Sequence, residues 1–188
     1  MKTENKIVHA LWVGAELSLL ECLTIRLLQK HGHEVHLWTY GDVANVPDRV
    51  ITRNAEEVLP KSSIFRYEGL PINALPNGGI GSLSHWSDQF QLKLLSIYGG
   101  IYIQLDVACL KPLDFEYPYA FVSHMGQTAT AAFLMKCPKD SLFTKMAYVN
   151  TSESVNPGKM KNIDWDESMR VIGRTLAFCV PDNFQYRI

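Results

Sequence analysis

The chain has 188 residues and a mass of 21.3 kDa, the size of one domain, and it is long enough to bury a core without staples. Its 18 Lys and Arg against 19 Asp and Glu leave a net charge of -1, which argues against a nucleic-acid partner or a polybasic membrane-surface protein. A hydrophobic fraction of 47% with 20% charged residues excludes wholesale disorder.

The start, Met1 to Lys6, leads into a short apolar run interrupted by His9. Neither a signal-peptide core nor a transmembrane segment is expected, and a cytoplasmic protein is. Cys22, Cys109, Cys137 and Cys179 lie far apart in apolar segments with no CxxC, which predicts buried reduced thiols, not a disulfide scaffold.

Hydrophobic periodicity then alternates between strand and helix. Ile7 to Val13 reads as a strand ended by Gly14. Ser18 to His31 reads as a helix with Leu19, Leu20, Leu23, Leu27 and Leu28 on its apolar face and Gly32 at its end. Glu34 to Tyr40 alternates like a strand, so the opening is a β-α-β unit with a parallel pair. Asp42 to Gly79 is Pro-rich and irregular, with one helical turn near Ala55 to Leu59, and Asn77-Gly78-Gly79 is the strongest breaker.

A helix over Ser84 to Tyr98 is ended by Gly99-Gly100, and a strand follows over Ile101 to Asp106. Lys111 to Asp114 reads as a turn, followed by strands near Ala120 to His124 and Ala131 to Cys137 and helices near Ser141 to Asn150 and Glu167 to Ala177. The expected architecture is an α/β sandwich with a mostly parallel central sheet flanked by helices, one domain over 1–188.

The segment from Ser87 to Asp114 carries the chemistry. Asp88 and Gln91 are three apart and share a helix face. Gly99-Gly100 allows a sharp helix-to-strand turn and a close approach of ligand to backbone. In an ideal strand Tyr102, Gln104 and Asp106 point one way and Ile101, Ile103 and Leu105 the other. Asp106 thus stands at the carboxyl end of a buried strand, where open α/β sheets place ligands. A divalent cation held there would neutralise charge developing on a leaving diphosphate, with phosphate and water completing its shell.

This stretch resembles the DXD sugar-binding region of a retaining glycosyltransferase family that includes bacterial capsule and lipopolysaccharide sugar transferases, eukaryotic alpha-1,4-glycosyltransferases and yeast mannosyltransferases. Val8-His9-Ala10-Leu11-Trp12-Val13-Gly14 is similar to the family's first strand, and His31 to Tyr40 to its second. The resemblance implies a GT-A-like fold and transfer of a sugar, with retention, from a nucleotide-sugar donor, UDP-linked by family likeness, to a glycan or other acceptor. It implies Trp12 stacked on the base, Asp88 on the donor sugar's hydroxyls, and Asp106 as direct ligand of Mn2+ or Mg2+. Gln91, Gly100, Tyr102 and Gln104 complete the donor-binding set that it implies.

Two residues depart from the family pattern: Gln104 stands for the first Asp of the motif, and Gln91 for an Arg. The changes are opposite in charge, so local net charge is kept. Gln104 can still exchange hydrogen bonds with a hydroxyl, but it is a weak metal ligand. Relative to the family, a short or truncated C-terminal part is also expected. A catalytically impaired binding protein or partner subunit is therefore a second reading. A Rossmann-type dinucleotide protein is a poor third, because no GxGxxG follows the first strand.

Overall fold

A computed structural model describes residues 1–69, 79–122, 131–179 and 185–187. Seven strands form one sheet: β1 Ile7–Trp12, β2 Glu34–Thr39, β3 Ile51–Asn54, β4 Gly100–Ile103, β5 Ala120–Val122, β6 Ala131–Cys137 and β7 Gln185–Arg187. Their order is β3-β2-β1-β4-β6-β5-β7. The run β3-β2-β1-β4 is parallel throughout, β6 is antiparallel to both β4 and β5, and β7 is parallel to β5. Four helices, α1 Leu19–Lys30, α2 Ser84–Tyr98, α3 Leu142–Ser154 and α4 Glu167–Cys179, cover it. The expected α/β sandwich with a mostly parallel sheet is what the chain forms.

Two apolar layers hold the sheet. On one face Val8, Ala10, Val35, Leu37, Ile101 and Ile103 pack against Ile25 and Leu28 of α1. On the other, Trp38, Tyr102, Phe121 and Met135 pack under Phe90, Leu92 and Leu95 of α2, Phe143 of α3 and Leu176 of α4. Burial on both faces is why β2 is enclosed from Val35 to Thr39 despite its alternating sequence.

Helix α1 starts at a capping box. The Ser18 hydroxyl accepts from the Leu20 N–H at 3.2 Å, and the Glu21 carboxylate accepts from the Ser18 N–H at 2.7 Å. Its inward stripe differs from the expected one. Leu19, Leu20 and Leu23 are exposed, while Thr24, Ile25 and Leu28 are buried. The stripe follows the residues that meet the sheet, not the density of leucines.

Three other expectations change. β3 was expected as irregular chain; its four residues are all exposed, so an edge strand pairing with β2 leaves no hydrophobic period to read. β4 ends at Ile103, so Gln104 to Asp106 lies in a turn instead of extending the strand. α3 runs four residues past Asn150, to Ser154. His124 lies outside the described residues. All four cysteines are free, Cys109 and Cys137 buried and Cys22 and Cys179 partly exposed.

The Gly99-Gly100 corner between α2 and β4 has a steric cause. Gly99 has φ 68°, and a Cβ there would stand 2.5 Å from the Lys139 backbone nitrogen. His9 braces the same corner: its Nδ1 accepts from Trp38 Nε1 at 3.2 Å, and its other ring nitrogen donates to the Gly99 carbonyl. This arrangement keeps the ring neutral, and burial holds its pKa down to about 3.

Candidate functional site at the carboxyl end of β4

β4 runs parallel to β1 with Tyr102 opposite His9, so the carboxyl ends of both strands open on one edge of the sheet. Tyr102 is buried beneath α2. Its hydroxyl is held well above the ordinary tyrosine range, first by burial and then by the Asp88 carboxylate; the Leu11 N–H, by donating to it, opposes the rise, and Asp106 adds to it. Tyr102 thus packs under α2, hydrogen-bonds the end of β1 and feels the charge of Asp106 in the turn after β4.

Asp88 is 6% exposed, with no cation paired to it among the described residues. Burial pushes its pKa from 3.8 up to about 7, and a hydrogen bond from the Ser168 hydroxyl restrains the rise. A carboxyl poised near neutrality in the first half of a helix is a functional candidate on physical grounds.

Gln91, one turn further along α2, is 1% exposed, and neither its Oε1 nor its Nε2 has a hydrogen-bond partner among the described residues. Leaving a buried amide unmatched costs about 1–3 kcal/mol per group, so this side chain is suited to a ligand that supplies both a donor and an acceptor.

The turn carrying Gln104 and Asp106 is pinned from two sides. The Gln104 N–H donates to the Phe133 carbonyl of β6 at 2.8 Å. On α1, Thr24 Oγ1 lies 2.8 Å from the carbonyls of both Leu105 and Val107, which flank Asp106. Gln104 is partly buried and Asp106 exposed. Thr24 was not foreseen; in sequence it is one polar residue among leucines, and nothing local marks its partners 81 and 83 positions away.

Trp12 ends β1 and turns to the opposite face from Tyr102, packing partly buried on the α1 side. Its Nε1 is buried without a partner among the described residues. Gly14 leaves the indole room, since a Cβ there would come within 2.9 Å of that nitrogen. Trp12 and Asp106 thus share the carboxyl edge of adjacent strands.

Gly100 opens β4, and a Cβ on it would face His9 and the Ile7 carbonyl, so it lies at the other end of the strand from Asp106.

For a divalent cation the donor set here is one carboxylate, Asp106, and one amide oxygen, Gln104. That suits an ion whose remaining ligands are diphosphate oxygens and water. Among the described residues no group of three or more His, Cys, Asp or Glu could hold a metal by itself. His33 is structural: its Nδ1 lies 3.0 Å from the Asn5 carbonyl, and its Nε2 accepts from the Leu113 N–H at 2.9 Å.

Fold and site together describe an α/β protein of GT-A-like architecture with a candidate ligand edge where β4 ends. Residues 50–127, about two-fifths of the chain, match the family described as glycosyltransferase sugar-binding region containing DXD motif. That span holds Asp88, Gln91, Tyr102, Gln104 and Asp106, and it bears out the resemblance carried by their motif. Among solved structures the chain is similar to one titled PaToxG Glycosyltransferase, with a TM-score of 0.59 and 13% identity over 94% of this chain and 70% of that one. No curated protein sequence matches significantly. No helix among the described residues is long and apolar enough to cross a membrane.

Proposed function

We propose that this chain is a single-domain, cytoplasmic glycosyltransferase. It moves a hexose-type sugar from a UDP-linked donor, with retention, to a glycan or other acceptor, as in polysaccharide assembly. The observation that supports this reading is that Tyr102, on β4 beside β1, feels the charge of both the Asp88 and the Asp106 carboxylates. Asp88 accepts from donor-sugar hydroxyls. Gln91 exchanges one hydrogen bond in each direction with neutral groups of the same sugar, in place of the family's charged Arg. Trp12 offers an aromatic surface to the base, worth about 1–3 kcal/mol of stacking.

Asp106, assisted by Gln104, is the site for Mn2+ or Mg2+, which when bound offsets charge on the leaving diphosphate. Thr24 and Phe133 hold the turn so that the Asp106 carboxylate faces outward before any ligand arrives, the preorganisation that electrostatic catalysis needs. The test is donor hydrolysis with Mn2+ in wild type and Asp106→Ala. Loss of at least tenfold in the variant is expected, and equal turnover refutes the metal role.

Gln91 and Gln104 favour one rival, a binding module or partner subunit that has lost catalysis. Calorimetry with UDP separates the two. Binding that tightens with Mn2+ supports the transferase, whereas metal-independent binding supports the module.

A further inference from the structure

Three buried polar side chains from two helices meet behind the proposed sugar site. His85 and Asp88 lie on α2 and Ser168 on α4, and their exposures are 1%, 6% and 1%. His85 Nδ1 stands 2.6 Å from Ser168 Oγ, and the same hydroxyl hydrogen-bonds the Asp88 carboxylate. Around the ring stand Tyr67, at 5.3 Å between centroids, and Trp165, at 6.0 Å. Glu167, the first residue of α4, and Asp166 in the turn before it act on His85, and the charge of Asp88 acts on Tyr102 of β4.

Proton counting fixes the direction of the chain. Ser168 has one hydroxyl proton to donate. If Asp88 receives it, His85 must donate from Nδ1, which leaves Nε2 bare. Nε2 is buried and has no partner among the described residues. The reverse tautomer would leave an N–H donor stranded there, the rarer and costlier orphan. Burial keeps the ring neutral at physiological pH, with its pKa down to about 4, so a neutral Nδ1–H donor is available.

We propose that Ser168 is a positioning residue: a relay running from His85 Nδ1–H through the Ser168 hydroxyl to Asp88 fixes the carboxylate that receives the donor sugar, which makes the first turn of α4 a part of that site. The functional half rests on the donor role given to Asp88 above; the relay itself does not. No local pattern marks Ser168, which lies 83 residues from His85. A carboxylate with one oxygen tethered has the other presented to ligand in a set direction, and losing the tether both frees the side chain and weakens its charged form.

The test is a pH titration of the ligand-free protein by carboxyl 13C NMR, with Asp88 assigned by its loss in Asp88→Asn. The wild-type midpoint is expected near 7. Ser168→Ala should raise it by about one pH unit, and Ser168→Thr should restore it. An unchanged midpoint in folded Ser168→Ala overturns the relay, as does a ring 15N spectrum showing His85 protonated at Nε2. If Ser168→Ala does not fold, the ring spectrum and the Ser168→Thr titration decide it; a Thr midpoint displaced as far as the Ala value was expected to be refutes it. Mn2+-dependent hydrolysis of UDP-glucose is the functional arm. Ser168→Ala should cut kcat/KM about tenfold, with its pH profile displaced alongside the NMR midpoint. No loss there refutes the positioning role, whereas absent wild-type hydrolysis counts against the transferase reading and leaves the relay to the NMR result.

Discussion

Replacing Asp88 by Asn separates what this side chain does for the fold from what it does for a ligand. Its pKa rises on folding from 3.8 to about 7, chiefly because burial disfavours the charged form. Between those values the folded chain binds more protons at this position than the unfolded chain does. Stability therefore falls as pH rises from about 4 to 7, and the full cost stands above 7. At about 1.36 kcal/mol per pH unit, that cost is about 4 kcal/mol. Asn has nearly the same shape, can still accept from Ser168 through its oxygen, and cannot ionise. Asp88→Asn should thus match wild type near pH 4 and exceed its stability by up to about 4 kcal/mol at pH 8, read by urea denaturation at both pH values. The same variant should lose donor-sugar affinity, because it no longer offers a charged acceptor. A variant less stable than wild type at pH 8, or a difference that does not grow with pH, refutes the reasoning. A side chain that weakens the fold at neutral pH is accounted for by binding, not by packing.

Thr24→Val removes the hydroxyl that bridges toward the Leu105 and Val107 carbonyls; it should cost about 1–3 kcal/mol in denaturation and weaken Mn2+-dependent UDP binding in calorimetry. Gly14→Ala places a methyl 2.9 Å from Trp12 Nε1, so the indole must move; UDP affinity should fall about fivefold or more, with stability changed by less than about 1 kcal/mol. His9→Gln should soften acid unfolding. His9 is held at about 3 by burial, against 6.5 when unfolded, so its contribution is complete above 6.5 and is lost as pH falls toward 3. The stability lost between pH 7 and 4 should be smaller in the variant by about 3 kcal/mol.

Read as motifs, these segments merge two jobs. Residues that read as one glycosyltransferase signature are divided between opposite ends of the sheet. His9, Gly99 and Gly100 build the corner at the amino end of β1 and β4, where φ 68° and the nearby Lys139 backbone make a side chain at Gly99 intolerable. Trp12, Gln104 and Asp106 occupy the carboxyl end. A glycine pair beside a strand reads the same whether it admits a ligand or only another stretch of backbone. Helix α2 was legible to the residue because its apolar period and glycine stop coincide. The end of β4 was not, since alternation continues through Gln104-Leu105-Asp106 while the described pairing of β4 with β6 stops at Ile103. What holds the proposed site in shape, Thr24 from α1 and Ser168 from α4, comes from elements about 80 residues away from the segments they fix. Local periodicity carries no information about such contacts. It follows that the two amide substitutions at positions 91 and 104 cannot be weighed by motif likeness alone. Gln91 is buried with an unmatched amide and Gln104 only partly buried, so the same exchange of charge for amide constrains a ligand strongly at the first position and weakly at the second.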